Sequence, residues 1–93
     1  MSQPVHAPDR SRFEIDLGDA TAVLTYVESD SQIVFDHTLT PPQHRGKGLA
    51  DQLTRAGLTW AAETGKTVVP TCWYVAQWLD RHPDEIPVRR AGG

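Results

Sequence analysis

The segment 41-PPQHRGKGLA-50 decides how this chain folds and what it can hold. It divides a strand-like run, residues 32–40, from the longest helix-like run, about residues 47–64. Pro41 and Pro42 end the strand, because proline donates nothing to a sheet ladder. Gly46 and Gly48 allow the backbone to turn tightly and to approach a ligand closely. Arg45 and Lys47 add positive charge. A helix that starts here points unpaired N–H groups and the positive end of its dipole the same way. The combination is an anion site, suited to a phosphate or pyrophosphate.

Upstream of this segment, residues 12–17 alternate, with Phe13, Ile15 and Leu17 on one face and charges on the other. Gly18-Asp19 is a hairpin turn. Residues 20–28 form a second strand with Ala22, Leu24 and Tyr26 on one face and Val23, Thr25 and Val27 on the other. After a Ser29-Asp30-Ser31 turn, the third strand places Ile33, Phe35, His37 and Leu39 in one row. Downstream, Leu49, Leu53, Ala56 and Trp60 make an apolar helical stripe flanked by Ala50, Gly57 and Ala61. Gly57 predicts close packing of helix on sheet, since it otherwise costs about 1 kcal/mol of helix propensity. Gly65 caps the helix.

Residues 67–72 form a fourth strand, and a right-handed crossover makes it parallel to the third. Residues 73–82 form a short helix with Val75, Trp78 and Leu79 buried, ended by His82-Pro83; Trp73 falls off that stripe. The expected fold class is α/β (α+β): three antiparallel strands, then helix, parallel strand and C-terminal helix. Residues 1–11 are expected as a flexible arm, residues 12–83 as one domain, and residues 84–93 as a tail whose Arg89-Arg90 is a solvated surface pair.

Composition narrows the function. The 93 residues, 39% hydrophobic and 23% charged, suit one globular domain with a small core. A net charge of -3 argues against a general nucleic-acid binder. A single cysteine excludes an internal disulfide and suits a reducing compartment. No apolar run is long enough for a signal peptide or a membrane helix, so the expectation is a cytoplasmic protein without membrane contact. His6, His37, His44 and His82 show no metal-ligand spacing with Cys72, so no metal site is expected.

Two familiar phosphate loops do not fit. G-x-G-x-x-G fails because position 51 is Asp51, and the P-loop fails because Lys47 is followed by Gly48. Gln43, Gly46 and Gly48 instead match Q-x-x-G-x-G/A, and with Arg45, Lys47, Leu49 and Ala50 the loop resembles that of GNAT acetyltransferases. The likeness extends over about residues 13–83. It is carried by His37-Thr38 at a strand end, by the loop from Gln43 to Ala50, and by Pro70-x-Cys72-x-Tyr74-Val75 leading to His82-Pro83. The chain is similar to the short, single-domain branch of that superfamily. The resemblance implies an N-acetyltransferase that uses acetyl-coenzyme A as cosubstrate. The pyrophosphate would rest on N–H groups from about His44 to Leu49, with charge from Arg45 and Lys47. The pantetheine arm would extend the third strand near Leu39 and Thr40 and enter a gap between splayed strands.

For the chemistry, Cys72 stands at a strand end and a helix start. By its position it is either a nucleophile whose thiolate the helix dipole favours or a small buried hydrophobe. His37, alone in an apolar row, reads first as a structural, hydrogen-bonded ring. The resemblance implies more: Cys72 near the acetyl thioester as nucleophile and His37 as base for Cys72 or for the amine; Tyr74 resembles the donor to the leaving thiolate in larger relatives, or is a structural aromatic at the helix start. Two routes stay open, direct attack by an amine or transfer through acetyl-Cys72. A non-catalytic acyl-coenzyme A binding module is the rival. Trp73 stands where a smaller residue is common in the branch. The helices and strands that build the acceptor site in larger relatives are missing. The acceptor amine is therefore unassigned, its pocket being open in a monomer or completed in a homodimer.

Overall fold

The computed structural model describes residues 3–91. Its strands are β1 (Val5–Ala7), β2 (Arg12–Asp16), β3 (Thr21–Glu28), β4 (Gln32–Leu39), β5 (Thr67–Pro70) and β6 (Arg89–Arg90). Helix α1 (Leu49–Thr64) joins β4 to β5, and α2 (Trp73–Arg81) follows β5. The six strands lie side by side in chain order. β1 to β4 are antiparallel; β5 runs parallel to β4, and β6 parallel to β5. The expected mixed sheet is thus present, extended by one strand at each edge.

One core joins the sheet to both helices. Phe13, Ile15, Ala22, Leu24, Tyr26, Ile33, Phe35 and Val68 come from the strands, Leu53, Leu58 and Ala61 from α1, and Val75, Trp78 and Leu79 from α2. Gly57 brings α1 close to the sheet: a Cβ there would stand 2.8 Å from Leu24 Cδ2 and 3.0 Å from Phe35 Cε1. The buried stripe of α1 is rotated from the expected one. Thr54, Gly57 and Leu58 are buried, while Ala56 and Trp60 are half-buried at its border. Small residues at the contact draw the helix in, which turns Leu58 inward and leaves Trp60 to cover the rim.

Residues 5–7, expected in a loose arm, form β1 on the free edge of β2. His6 anchors them. Its ring stacks on Phe13 at 4.3 Å and its Nε2 lies 2.6 Å from Tyr26 Oη, with Trp60 beside it. An edge strand with unpaired N–H and C=O groups gains from any such cover. The tail is corrected in the same way. Ile86 and Val88 pack against the core, β6 pairs with β5, and Arg90 Nη1 bonds Asp80 Oδ1 at 2.6 Å, so Arg90 is not a free surface cation.

β4 contains the feature that positions the site. Thr25 pairs with His37 and Tyr26 with Phe35, so Asp36 is an extra residue, a β-bulge. Thr25 Oγ1 donates to Asp36 Oδ1 at 2.5 Å, holding the bulge. Side chains alternate with period two, so one extra residue reverses every face beyond it. Ile33 and Phe35 are fully buried; after Asp36, Thr38 takes the inward direction opposite Leu24, and His37 and Leu39 are exposed. The single row expected to hold Ile33, Phe35, His37 and Leu39 does not exist.

Candidate active site

The parallel ladder between β4 and β5 stops at Phe35 and Pro70. Past that pair Cys72 N–H donates to Phe35 O at 3.0 Å, and the chain leaves the sheet to start α2. β4 continues through Leu39 with no strand on that side among the described residues. The two chains part and leave a cleft of about 590 Å³. Its walls are His37, Thr38, Leu39 and Thr40 from β4 and its end, His44, Arg45, Gly46, Gly48, Leu49, Ala50 and Asp51 from the loop and α1, and Trp73 and Tyr74 from α2. Most of the expected binding residues therefore meet around one opening. Gln43 and Lys47 do not. Gln43 lies exposed in the 3-10 turn Pro42–His44.

The loop is a left-handed glycine turn that leads into a helix start. Gly46 (φ 85°) and Gly48 (φ 75°) are left-handed, with open space where a Cβ would go. Glycine is needed there for backbone conformation, not for room. Gly48 caps α1 without a side-chain hydrogen bond, and the first bond of the helix is Gln52 N–H to Gly48 O at 3.1 Å. The N–H groups of Leu49, Ala50 and Asp51 precede that ladder at the cleft wall.

Asp51 would oppose an anion, but it is engaged. Trp78 Nε1 donates to its Oδ1 at 2.7 Å and Arg55 Nε to its Oδ2 at 2.8 Å. Burial pushes its carboxyl up, and the bonds from Trp78 and Arg55 outweigh that, holding it below the usual carboxylate range. The pattern of α1 and α2 carries no separate signal for this link, because both residues read simply as helix positions.

Lys47 turns the other way. Its Nζ donates to His44 Nδ1 at 3.0 Å, which leaves His44 Nε2–H to donate to Asp19 Oδ1 at 2.8 Å. Lys47 lines a second cavity of about 460 Å³ with Ile15, Leu17, Leu49 and Gln52. Its direct role on the coenzyme, expected from the sequence, is not supported by this placement. His44 borders both cavities and braces the loop against the Gly18-Asp19 turn.

Cys72 does not line the cleft: it is 6% exposed, next in sequence to Trp73 in the wall, and its Sγ lies 3.7 Å from Oγ1 of the lining residue Thr38. Tyr74 is half-buried in the wall; burial raises its phenol and the Asp51 charge adds to the shift. It therefore holds its proton firmly at neutral pH. His37, expected as partner of Cys72, is displaced by the bulge: the side chain of the β4 end that meets the thiol is Thr38. In the sequence Thr38 stands out only as the neighbour of His37 in a motif. The visible signal is Asp36, a carboxylate inside a strand, where a bulge can leave it in solvent.

Among the described residues, no group of His, Cys, Asp or Glu could hold a metal ion, and no helix is long and apolar enough to cross a membrane.

Comparison with known proteins agrees with this architecture. Protein NATD1 of Mus musculus is 32% identical over 81 residues, which span 84% of this chain and 74% of that protein. Its Homo sapiens counterpart is 32% identical over 81 residues, covering 84% and 72%. The solution structure of a GCN5-like protein from Staphylococcus aureus superimposes with a TM-score of 0.72 at 23% sequence identity, covering 98% of this chain and 89% of that one; this is a likeness of fold. The model of the GCN5-related N-acetyl-transferase family matches residues 12–87, and the chain belongs to that family.

Proposed function

We propose that the cleft binds acetyl-coenzyme A and that the protein transfers the acetyl group to an amine. The observation that carries this reading is the parting of β4 from β5, which opens the cleft directly onto a left-handed glycine turn and a helix start without a side-chain cap. The turn and the first N–H groups of α1 hold the pyrophosphate, with Arg45 adding charge. The free side of β4 at Leu39 and Thr40 pairs with the pantetheine amides as an added strand would. Leu39, 49% exposed, and Trp73, 72% exposed, both line the cleft and offer apolar surface to this arm.

At the deep end the thioester lies beside Cys72 and Tyr74. Two balanced routes use these groups. In one, the amine nitrogen forms the new C–N bond, the C–S bond to the coenzyme breaks, Tyr74 gives its proton to the departing thiolate, and water or His37 takes the proton of the amine. In the other, Cys72 Sγ forms the new bond first, coenzyme A leaves as the thiol, and the amine then takes the acetyl group and restores the Cys72 thiol. The outward position of His37 favours the amine rather than Cys72 as its proton source. The rival, a coenzyme-binding module without turnover, draws support from the openness of the cleft.

Calorimetric titration with acetyl-coenzyme A, followed by release of free coenzyme A thiol with a panel of amines, tests the reading. Saturable binding, lost when Gly46 and Gly48 are both changed to Val, and amine-dependent thiol release are expected. Binding without release selects the rival module, and no binding overturns both. An acetyl mass on Cys72, absent in Cys72→Ala, selects the second route.

A further inference from the structure

We propose that Thr38 is the positioning residue for the Cys72 thiol: its hydroxyl accepts from S–H in the resting protein and donates to sulfur when the thiolate forms. The proposal deepens the acetyl-transfer reading and assigns the thiol a partner that is not a histidine.

Three observations converge on it. The Asp36 bulge turns Thr38 into the inward row begun by Ile33 and Phe35, opposite the fully buried Leu24. An apolar residue such as valine would fill that place with the same shape. Thr38 is half-buried at the cleft, and its hydroxyl lies against the sulfur there. Among the described residues the partner of Thr38 Oγ1 is Cys72 Sγ, at 3.7 Å.

The second observation is the rigidity of the sulfur's mounting. Cys72 N–H donates to Phe35 O at 3.0 Å, and Cys72 O accepts from Ala76 N–H at 3.1 Å. Thr71 Oγ1 also donates to Phe35 O, at 3.3 Å. The Cys72 backbone is tied to β4 on one side and to α2 on the other, so the direction of its side chain is set by the fold. Thr38 lies three residues beyond Phe35 on that same strand.

The third observation is location. Thr38 lines the cleft, while Cys72 sits just behind it at the first turn of α2. A hydroxyl in that place can follow the sulfur through both protonation states, since a hydroxyl both donates and accepts. Cys72 occupies the cap position of α2 with no side-chain bond of its own to the backbone, so Thr38 is the group that can fix its sulfur.

The test uses the full chain without coenzyme, so it stands or fails apart from acetyl transfer. Cys72 is the only cysteine, so the S–H stretching band in the infrared belongs to one group. The wild-type band is expected at lower frequency than that of Thr38→Val, with Thr38→Ser restoring the wild-type position. Coincident bands in wild type and Thr38→Val overturn the proposal. Should Thr38→Val not fold, the wild-type band is compared with that of the denatured chain and of Thr38→Ser. A bonded band shifts on unfolding and persists in the serine variant; a wild-type band that unfolding leaves in place overturns the proposal.

Discussion

The two halves of β4 are built for different ends. From Ile33 to Phe35 the strand is paired on both sides, with β3 and with β5, and Ile33 and Phe35 are fully buried. From Asp36 to Leu39 it keeps only β3, its outer side chains are exposed, and its inward one is a threonine. The first half stabilises the sheet; the second gives up a ladder and some apolar burial to leave an edge that a ligand can pair with. One extra residue, Asp36, separates them.

The largest effect should separate the two halves directly. Phe35→Ala is expected to cost about 3–5 kcal/mol, as a large aromatic removed from a sealed core does. Leu39→Ala should stay within about 0.5 kcal/mol in stability and weaken acetyl-coenzyme A binding instead. Urea unfolding and calorimetry measure both, and equal destabilisation by the two variants would break the comparison.

An intermediate effect is expected at Gly57, where α1 touches the first half. Alanine should gain about 1 kcal/mol of helix propensity. Its Cβ would meet Leu24 and Phe35 at 2.8 and 3.0 Å, and both are fully buried with little room to withdraw. Overpacking costs about 1–3 kcal/mol, so Gly57→Ala should be net destabilising in the same unfolding assay. A more stable variant would show that the core yields at this contact.

The smallest effect lies at the far edge, in β1. Burial lowers the readiness of the His6 ring to take a proton below its ordinary value near 6.5, with Glu28 opposing. The unfolded chain then binds more protons than the folded one just below that pH, so stability rises with pH there. The contribution is present above about pH 6.5 and is lost as the pH falls through the lowered value. Melting temperature should therefore fall between about pH 7.5 and pH 5.5, and His6→Phe, which keeps the stack on Phe13, should reduce the fall. An equal fall in both proteins would remove His6 from the account.

Much of the molecule is legible from local pattern. Alternation marks Phe13, Ile15 and Leu24 as inward, helical spacing marks Val75, Trp78 and Leu79, and the glycine segment locates the helix start. The edges escape such reading because β1 and β6 are three and two residues long, too short for any periodicity to show. The bulge escapes it because a period-two pattern assumes no extra residue. That assumption exchanges Thr38 for His37 at the thiol. Charge alone points Lys47 at the cleft, while its contact with His44 sends it to the neighbouring cavity.

Chain order, turn chemistry and apolar period are local properties, and they suffice for the mixed sheet, the crossover helix and the glycine turn at its start. The tertiary structure decided which side chain of β4 meets Cys72, which loop cation faces the cleft, and how the edges are closed. These depend on the pairing of Thr25 and Tyr26 across a bulge, and on contacts between residues far apart in the chain. No short window of residues contains that information, because one inserted residue changes no local preference yet inverts every face that follows it.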